Sequence, residues 1–372
     1  MLTPPVALTA AGVVTALGDG PATHAALLRG EKALRLTPVL GANGGEDVPL
    51  ALAAGRGFDE TAPPNWMPVL HQLAAHIPAA PWGSARWPVF VTSSNFGVGS
   101  LFAFRQGGGD LAHLTYGTPH ATVEWLATQL NWGPNVTTLS HACVSAHLGM
   151  LLATRTLQAG LAERALVFSF DFISPFVAGG FHALKILNAD FPAPYADRAT
   201  GSIGLGDGAA FAVLSRPQDE PTAEFHLTAQ HLHNEMHHFT ANRTDGTGFA
   251  TCLEPLRRAT ADRHVWIKGH GTGTLEAGRL ECAALTTAFP DAPLVGWKGS
   301  LGHTLGSCGL VELVLAMESF RHSRAPGTVG GVGPTFHPTV ALDPVDVSAC
   351  DAVVCASNAF GGAHAATLLT HA

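Results

Sequence analysis

Short apolar runs rich in Val, Ile and Phe alternate along this chain with longer Ala- and Leu-rich segments. PVALTAAGVV, WPVFVTSS, NVTTLSHA, RALVFSFDF and GAAFAVLSR read as strands, with helices GPATHAALLRG, TVEWLATQLN and VSAHLGMLLATRTLQAG among them. After Arg216 the order restarts. EFHLTAQHLH, VWIKGHG, PLVGWKGS, DAVVCASNAF and HAATLLTHA read as strands, and LEAGRLECAALTTAF and GLVELVLAMESFRH as helices. Strands that are apolar throughout are buried on both faces, so the alternation predicts a layered α/β fold with mostly parallel strands. Element order divides the chain into two similar halves, 1–215 and 216–372, without a literal repeat. The Gly/Pro clusters GANGGEDVP (41–49) and GTVGGVGPTFHP (327–338) read as loops.

Of the 372 residues, 47% are apolar and only 13% are charged, against a usual charged share of roughly 25%. So few charges cannot cover a surface, which predicts a large core and a buried subunit interface. The net charge of -8, without a block of like charges, argues against a nucleic-acid partner. The run LVELVLAM (310–317) is too short for a membrane span and holds Glu312. The start MLTPPVALTAAG lacks the basic patch and long apolar core of a signal peptide. Cysteines at 143, 252, 282, 308, 350 and 355 form no CxxC pair, which reads as reduced thiols in a cytoplasmic protein.

Cys143, in TLSHACVSAHLG, falls where a strand hands over to a helix. The unpaired N–H groups and partial positive charge of a helix start favour a thiolate, so a lowered thiol pKa is expected. A lone cysteine is more often a small core residue, but two histidines change that balance. His270, in KGHGTGTLEAGRLE, ends one strand. His303, in KGSLGHTLGSCGLVE, comes 33 residues later at an equivalent point of the repeated pattern. The three junctions bring a nucleophile and two proton donors to the carboxyl ends of strands, where α/β folds gather their sites.

In this order, these segments resemble the β-ketoacyl-acyl carrier protein synthases of the thiolase superfamily, the type I and II elongating ketosynthases. The likeness runs nearly end to end, through GVVTALGDGPATHAALLRGEKAL, SHACVSA, GGFHALKIL, PYADRATGSIGLGDGAAFAVL, HHFTANRTDGTG, HGTGT, KGSLGH and SNAFGGAH. The resemblance implies a thiolase-like fold, with two similar βαβαβαββ halves in a five-layer α-β-α-β-α sandwich. It implies a decarboxylating Claisen condensation in fatty-acid or polyene/polyketide chain elongation. Cys143 would carry the acyl group as a thioester, and neutral His270 and His303 would donate hydrogen bonds to the malonyl enolate. The backbone N–H groups of Cys143 and Phe360 would form an oxyanion hole, with the Phe360 ring as a gate and close backbone approach at Gly361 and Gly362. Lys298 and Glu281 resemble a buried pair that organises the network beside the histidines, and Glu312 joins them. Thr272, Thr274 and Thr240 correspond to hydroxyls that hold a phosphopantetheine arm. No cofactor would be bound, since that arm arrives on an acyl carrier protein. The other implied partner is a second ketosynthase-like subunit, in a homodimer or heterodimer.

The chain departs from the family pattern at Ala277 and Gly278, where an Asn-Asp pair is usual; Lys298 is therefore expected to have one partner fewer. Asn358 and Ala359 stand where the longer family form has an aromatic and a glycine. The span before Cys143 is short, which reads as trimmed surface excursions. The ligand spacing in HLHNEMHH (231–238) supports no metal site. The main alternative is a non-catalytic, chain-length-factor-like subunit of a ketosynthase heterodimer. Such partners commonly lack the nucleophile, whereas Cys143, His270, His303 and Lys298 are all present. A thiolase would need an acid cysteine in a glycine-flanked loop, which neither Cys350 nor Cys355 occupies, and no GxSxG elbow marks a hydrolase.

Overall fold

The structure, a computed structural model, describes residues 4–41, 44–59, 61–198, 201–238 and 240–372. Ala199 and Thr200 of PYADRATGSIGLGDG, and Phe239 of HHFTANRTDGTG, lie outside the described residues. The first half of the chain supplies strands β1 (Val6–Thr15), β2 (Val89–Thr92), β3 (Val136–Leu139), β4 (Arg164–Asp171) and β5 (Gly208–Ser215). The second supplies β6 (Phe225–Asn234), β7 (Val265–Lys268), β8 (Leu294–Val295), β9 (Ala352–Ala359) and β10 (Ala363–His371).

The strands form two leaves of one topology, ordered β3-β2-β4-β5-β1 and β8-β7-β9-β10-β6. In the first leaf β2 pairs in parallel with β3 and β4, and β5 pairs antiparallel with β4 and β1. In the second, β7 pairs in parallel with β8 and β9, and β10 pairs antiparallel with β9 and β6. The leaves meet where β1 and β6 pair antiparallel, with Val6 opposite Leu227 and Leu8 opposite Phe225.

The sequence forces this layering. RALVFSFD in β4 and GAAFAVLS in β5 are buried almost throughout, so both faces of the leaf must be covered. Helices α1 (Met67–Ala74) and α2 (Pro119–Gln129) cover the outside of the first leaf. Between the leaves lie α3 (Ser145–Gln158) and α6 (Cys308–Arg321), while α4 (Thr247–Ala259) and α5 (Leu275–Ala288) cover the outside of the second leaf. The result is a five-layer α-β-α-β-α sandwich of the thiolase type. In α3, Ala146, Gly149, Met150, Ala153 and Leu157 form a buried stripe at helical spacing. The α6 helix is buried from Cys308 to Phe320, as a helix enclosed on all sides requires. Fully buried Phe168, Phe170 and Phe211 fill the space under α1 and α2, each worth about 1.5–3 kcal/mol of burial.

Three readings of the sequence change. The ten strands are mixed rather than mostly parallel, with four parallel pairings and five antiparallel ones, because β5 and β10 each run against both of their neighbours. In the GANGGEDVP segment, Gly44–Ala51 is a strand that pairs antiparallel with Arg35–Gly41 and in parallel with Leu205–Gly206. Glycines and a proline disguise it, but Val48 and Leu50 face the core, and its partners lie elsewhere in the chain. PLVGWKGS is a strand only over Leu294–Val295; Lys298–Leu301 is a single helical turn.

Candidate active site

The chain leaves β3 and enters α3 through a tight turn in which Ala142 takes φ 45°. Left-handed backbone at a residue with a Cβ costs of order 1–3 kcal/mol and persists only where its surroundings enforce it. Here Ser145 does so: its hydroxyl accepts the His141 N–H at 2.7 Å and donates to the Ala142 carbonyl at 2.6 Å. Cys143 is thereby held at the start of α3. On the other leaf β8 runs through the Lys298–Leu301 turn to Gly302, at φ 70°, and then His303. A side chain at Gly302 would meet the Leu205 backbone at 2.5 Å, so glycine is required there. The His303 N–H donates to the Gly204 carbonyl at 2.7 Å, which seats the histidine against the strand-like segment before β5. β3 and β8 occupy the same place in their leaves, so Cys143 and His303 stand at matching points.

These points meet in space. The Leu305 N–H donates to His303 Nδ1 at 3.2 Å, which leaves the ring proton on Nε2. That Nε2–H donates to Cys143 Sγ at 3.0 Å. His270, beyond the end of β7, stands edge-on to His303, with ring centroids 4.8 Å apart and planes at 88°. Its Nδ1 is buried and has no hydrogen-bond partner among the described residues. Both histidines are held well below the ordinary imidazole range, first by burial and then by the nearby Lys298 ammonium. The thiol departs from the sequence-based expectation. Burial pushes Cys143 strongly up and Cys308 adds to this, against a smaller lowering by Lys298. The sulfur has lost its water, and the partial charge of a helix start does not make up for that loss.

Behind the histidines lies a buried charged group. Glu281 accepts N–H bonds from His270 and, at 3.1 Å, from Gly271, and the Tyr195 hydroxyl donates to it at 3.2 Å. Lys298 donates to the His270 carbonyl at 2.8 Å and to Glu312 at 2.6 Å. Glu281 and Lys298 therefore hold opposite sides of the same peptide rather than each other. Lys298 does not go short of partners either, for Glu312 and a backbone carbonyl take it up. Burial alone would lower its pKa, but Glu312 and its neighbours raise it on balance.

Cys143, His270, His303, Thr240, Thr272, Thr274 and Phe360 all line one cavity of about 100 Å³, together with Asn358 and Ala359. The Thr272 and Thr274 hydroxyls lie 3.1 Å apart, and Thr240 is bonded to His238 at 3.3 Å. Phe360 is 40% exposed, and its ring sits 5.8 Å from the ring of Phe181, with Gly361 at φ 86° and Gly362 at φ 70° behind it. Lys298, Glu281 and Glu312 are buried in the wall rather than at the cavity surface.

Several residues here escape motif reading. Asp171 at the end of β4 accepts from Ser93, Ser94, Asn95 and, at 2.7 Å, from the Gly306 N–H, tying both leaves together under His303. Cys308 donates to the Cys143 carbonyl at 3.4 Å. Lys268 bonds Glu312 from the other side. A lysine closing the otherwise apolar buried strand VWIK was the available signal.

Known proteins resemble this chain in sequence and in fold. Residues 227–331 match the β-ketoacyl synthase C-terminal domain. Over that span the chain is similar to the β-ketoacyl synthases. The chain is 30% identical over 260 residues to the tetracenomycin polyketide synthase ketoacyl synthase alpha subunit of Streptomyces glaucescens, covering 64% of this chain and 60% of that protein. It is 26% identical over 257 residues to the 3-oxoacyl-acyl-carrier-protein synthase 2 of Coxiella burnetii, covering 64% and 62%. The matched span is thus about three fifths of the length of these curated relatives. In fold, a ketosynthase in complex with its chain length factor from Xenorhabdus doucetiae superposes with TM-score 0.80 at 21% identity, covering 99% of this chain and 98% of that one. The ishigamide ketosynthase/chain length factor gives 0.81 at 19%, covering both chains completely. Cys350 and Cys355 do not line the cavity, with Cys355 buried inside β9. Glu235 of the histidine-rich segment is paired with His364 at 2.8 Å, and among the described residues no cluster is arranged to hold a metal ion. No helix among the described residues is long and apolar enough to cross a membrane.

Proposed function

We propose that this chain is a catalytic β-ketoacyl-acyl carrier protein synthase rather than a non-catalytic partner of one. The observation that carries the proposal is the 3.0 Å contact between Cys143 Sγ and His303 Nε2 in the same cavity as His270. In the first half-reaction Cys143 Sγ attacks an acyl thioester. The new C–S bond forms as the bond to the pantetheine sulfur breaks, and the Cys143 proton ends on the departing sulfur. The arm lies along Thr272, Thr274 and Thr240, and the Cys143 and Phe360 N–H groups receive the oxyanion. Acylation turns the thiol into a thioester, a poor acceptor, and so releases the His303 N–H for the second substrate. A malonyl thioester then loses carbon dioxide, and its enolate oxygen takes one N–H from each histidine. Each such donor is worth about 3 kcal/mol of barrier. The enolate carbon attacks the acyl carbon on Cys143, and collapse expels the Cys143 thiolate, which takes from solvent the one proton that the overall reaction consumes. Neutral rings suit this step, because an N–H donor that keeps its proton stabilises the enolate without quenching it.

The substrate on this reading is a malonyl group on an acyl carrier protein, in fatty-acid or polyene/polyketide elongation. A solved neighbour at 15% identity, a type II polyketide acyl-carrier protein in complex with its ketosynthase, supports the carrier as partner. Neighbours paired with a chain length factor favour a second ketosynthase-like subunit. The duplicated leaves support two units, 1–215 carrying the nucleophile and 216–372 carrying both histidines, and the six free cysteines fit a cytoplasmic enzyme. Malonyl-carrier decarboxylation tests the reading: release of carbon dioxide is expected from wild type and sharply reduced in His270→Ala, and wild type without release overturns it.

A further inference from the structure

His303 has a partner on each ring nitrogen, but His270 does not: its Nδ1 is buried and unpaired among the described residues. Among the described residues, nothing bonded to that ring fixes its direction. What is fixed, to an unusual degree, is the backbone beneath it. Lys268 Nζ donates to the Gly269 carbonyl at 2.6 Å, and Lys298 Nζ donates to the His270 carbonyl at 2.8 Å. The two carboxylate oxygens of Glu281 take the N–H groups of His270 and Gly271. Four successive backbone groups, from the Gly269 carbonyl to the His270 carbonyl and the amides around it, are thus held by ionic side chains. Glu312 ties the two ammoniums to each other, one on each oxygen. Lys268 and Lys298 are no more than 1% exposed and Glu312 is 5% exposed, so the group is shut off from water. The Lys268 ammonium also lies 5.7 Å from the centre of the Trp297 ring, which closes it in from the remaining side.

We propose that Lys268 is a positioning residue for His270, one jaw of a charged clamp that aims the imidazole through its backbone. Charge-assisted hydrogen bonds inside a dry wall are short and strongly directional, so they suit this duty better than packing alone. Glycines on both sides of His270 make the clamp necessary. Gly269 and Gly271 would otherwise leave the peptide loose, and neither tolerates a side chain, because a Cβ at Gly269 would come within 2.1 Å of the Tyr195 hydroxyl. Lys268 also makes up the charge of the group: two ammoniums stand against the carboxylates of Glu281 and Glu312, which a single lysine would not balance.

The inference rests on the proposed decarboxylation, so its test reads the two separately. Lys268→Arg keeps charge and donors, Lys268→Gln keeps a donor for the Gly269 carbonyl without charge, and Lys268→Met keeps neither. Malonyl-carrier decarboxylation should stay near wild type in Lys268→Arg. It should fall in Lys268→Gln and fall furthest, roughly 100-fold, in Lys268→Met, the size of loss a 1 Å misplacement produces. Alkylation of Cys143 by iodoacetamide, which does not use His270, should be the same in all four proteins. If Lys268→Met does not fold, the contrast between Arg and Gln decides. Decarboxylation indifferent to every folded variant overturns the clamp, as does a parallel fall in alkylation. Should wild type release no carbon dioxide, the proposed function fails, but the clamp is still testable. In ¹⁵N-histidine NMR spectra Lys268→Gln should then shift or broaden the His270 ring signals and leave those of His303 in place; unchanged His270 signals overturn it.

Discussion

Replacing His303 by alanine removes a side-chain N–H that donates to the Cys143 sulfur at 3.0 Å. The hydrogen bond is far stronger to a thiolate than to a thiol, so its loss acts mainly on the charged form. Hydrogen bonds to charged groups are worth about 1.5–3 kcal/mol, and one pKa unit corresponds to about 1.4 kcal/mol. The thiol, already pushed up by burial, should therefore rise by roughly one to two further units. At a fixed neutral pH the thiolate fraction then falls roughly 10- to 100-fold, and with it the rate of attack on a small electrophile. The assay is alkylation by iodoacetamide, followed by intact mass at several pH values. Below the thiol pKa the logarithm of the rate rises in step with pH. The variant's line should keep that slope and lie one to two pH units higher. His270→Ala is the control, because the His270 ring meets His303 edge-on and has no hydrogen bond to the sulfur. A His303→Ala variant that alkylates as fast as wild type would refute the reasoning, and so would an equal slowing in His270→Ala.

Other consequences follow from the same site. Glu281→Gln swaps two acceptor oxygens for one, leaving a donor from His270, Gly271 or Tyr195 unpaired in a buried wall. A loss of about 1–3 kcal/mol is expected by urea unfolding, with decarboxylation reduced more than Cys143 alkylation. Gly206→Ala would place a methyl 1.9 Å from the Leu301 carbonyl, at the turn that carries His303. Overpacking of that kind costs about 1–3 kcal/mol, and a variant with wild-type stability and rate would contradict the placement of that turn. Stability should also fall on acidification. His147, held at about 3 by burial and the two buried lysines, and His270 and His303, also driven well down, stay neutral in the fold. The unfolded chain binds protons on these rings near pH 6.5 that the native state rejects, so each ring removes about 1.4 kcal/mol per pH unit below that value. The three together give a slope of about 4 kcal/mol per pH unit, and His147→Gln should cut it by about a third. Equal urea midpoints at pH 7 and 5.5 would count against three neutral buried rings.

Much of this was readable in the sequence, and the rest was hidden for physical reasons. Strands such as RALVFSFD announce themselves because burial on both faces makes them apolar without interruption. Cys143, His270 and His303 were legible because each stands at a strand end followed by small residues and then a helix. Gly44–Ala51 was hidden because its strand character comes from its partner, not from its own glycines. The thiol pKa was misjudged because a helix start can be seen in sequence, whereas the loss of water around a sulfur cannot. Glu281 and Lys298 were matched to each other, yet they hold opposite sides of one peptide, a relation set by where Glu312 and Lys268 stand. Asp171, Tyr195 and Cys308 lie in separate segments that meet only when the leaves pack, so their spacing carries no pattern.

The account stands on Cys143 becoming acylated and then giving up its acyl group to a decarboxylated malonyl unit. The most direct measurement is intact protein mass after exposure to acyl carrier proteins of several chain lengths, alone and with a second ketosynthase-like subunit, before and after malonyl carrier protein is added. One acyl increment on wild type, none on Cys143→Ala, and its disappearance into a β-ketoacyl carrier product when the malonyl carrier arrives are the predicted result. A wild-type protein that keeps its unmodified mass with every carrier and partner would contradict it.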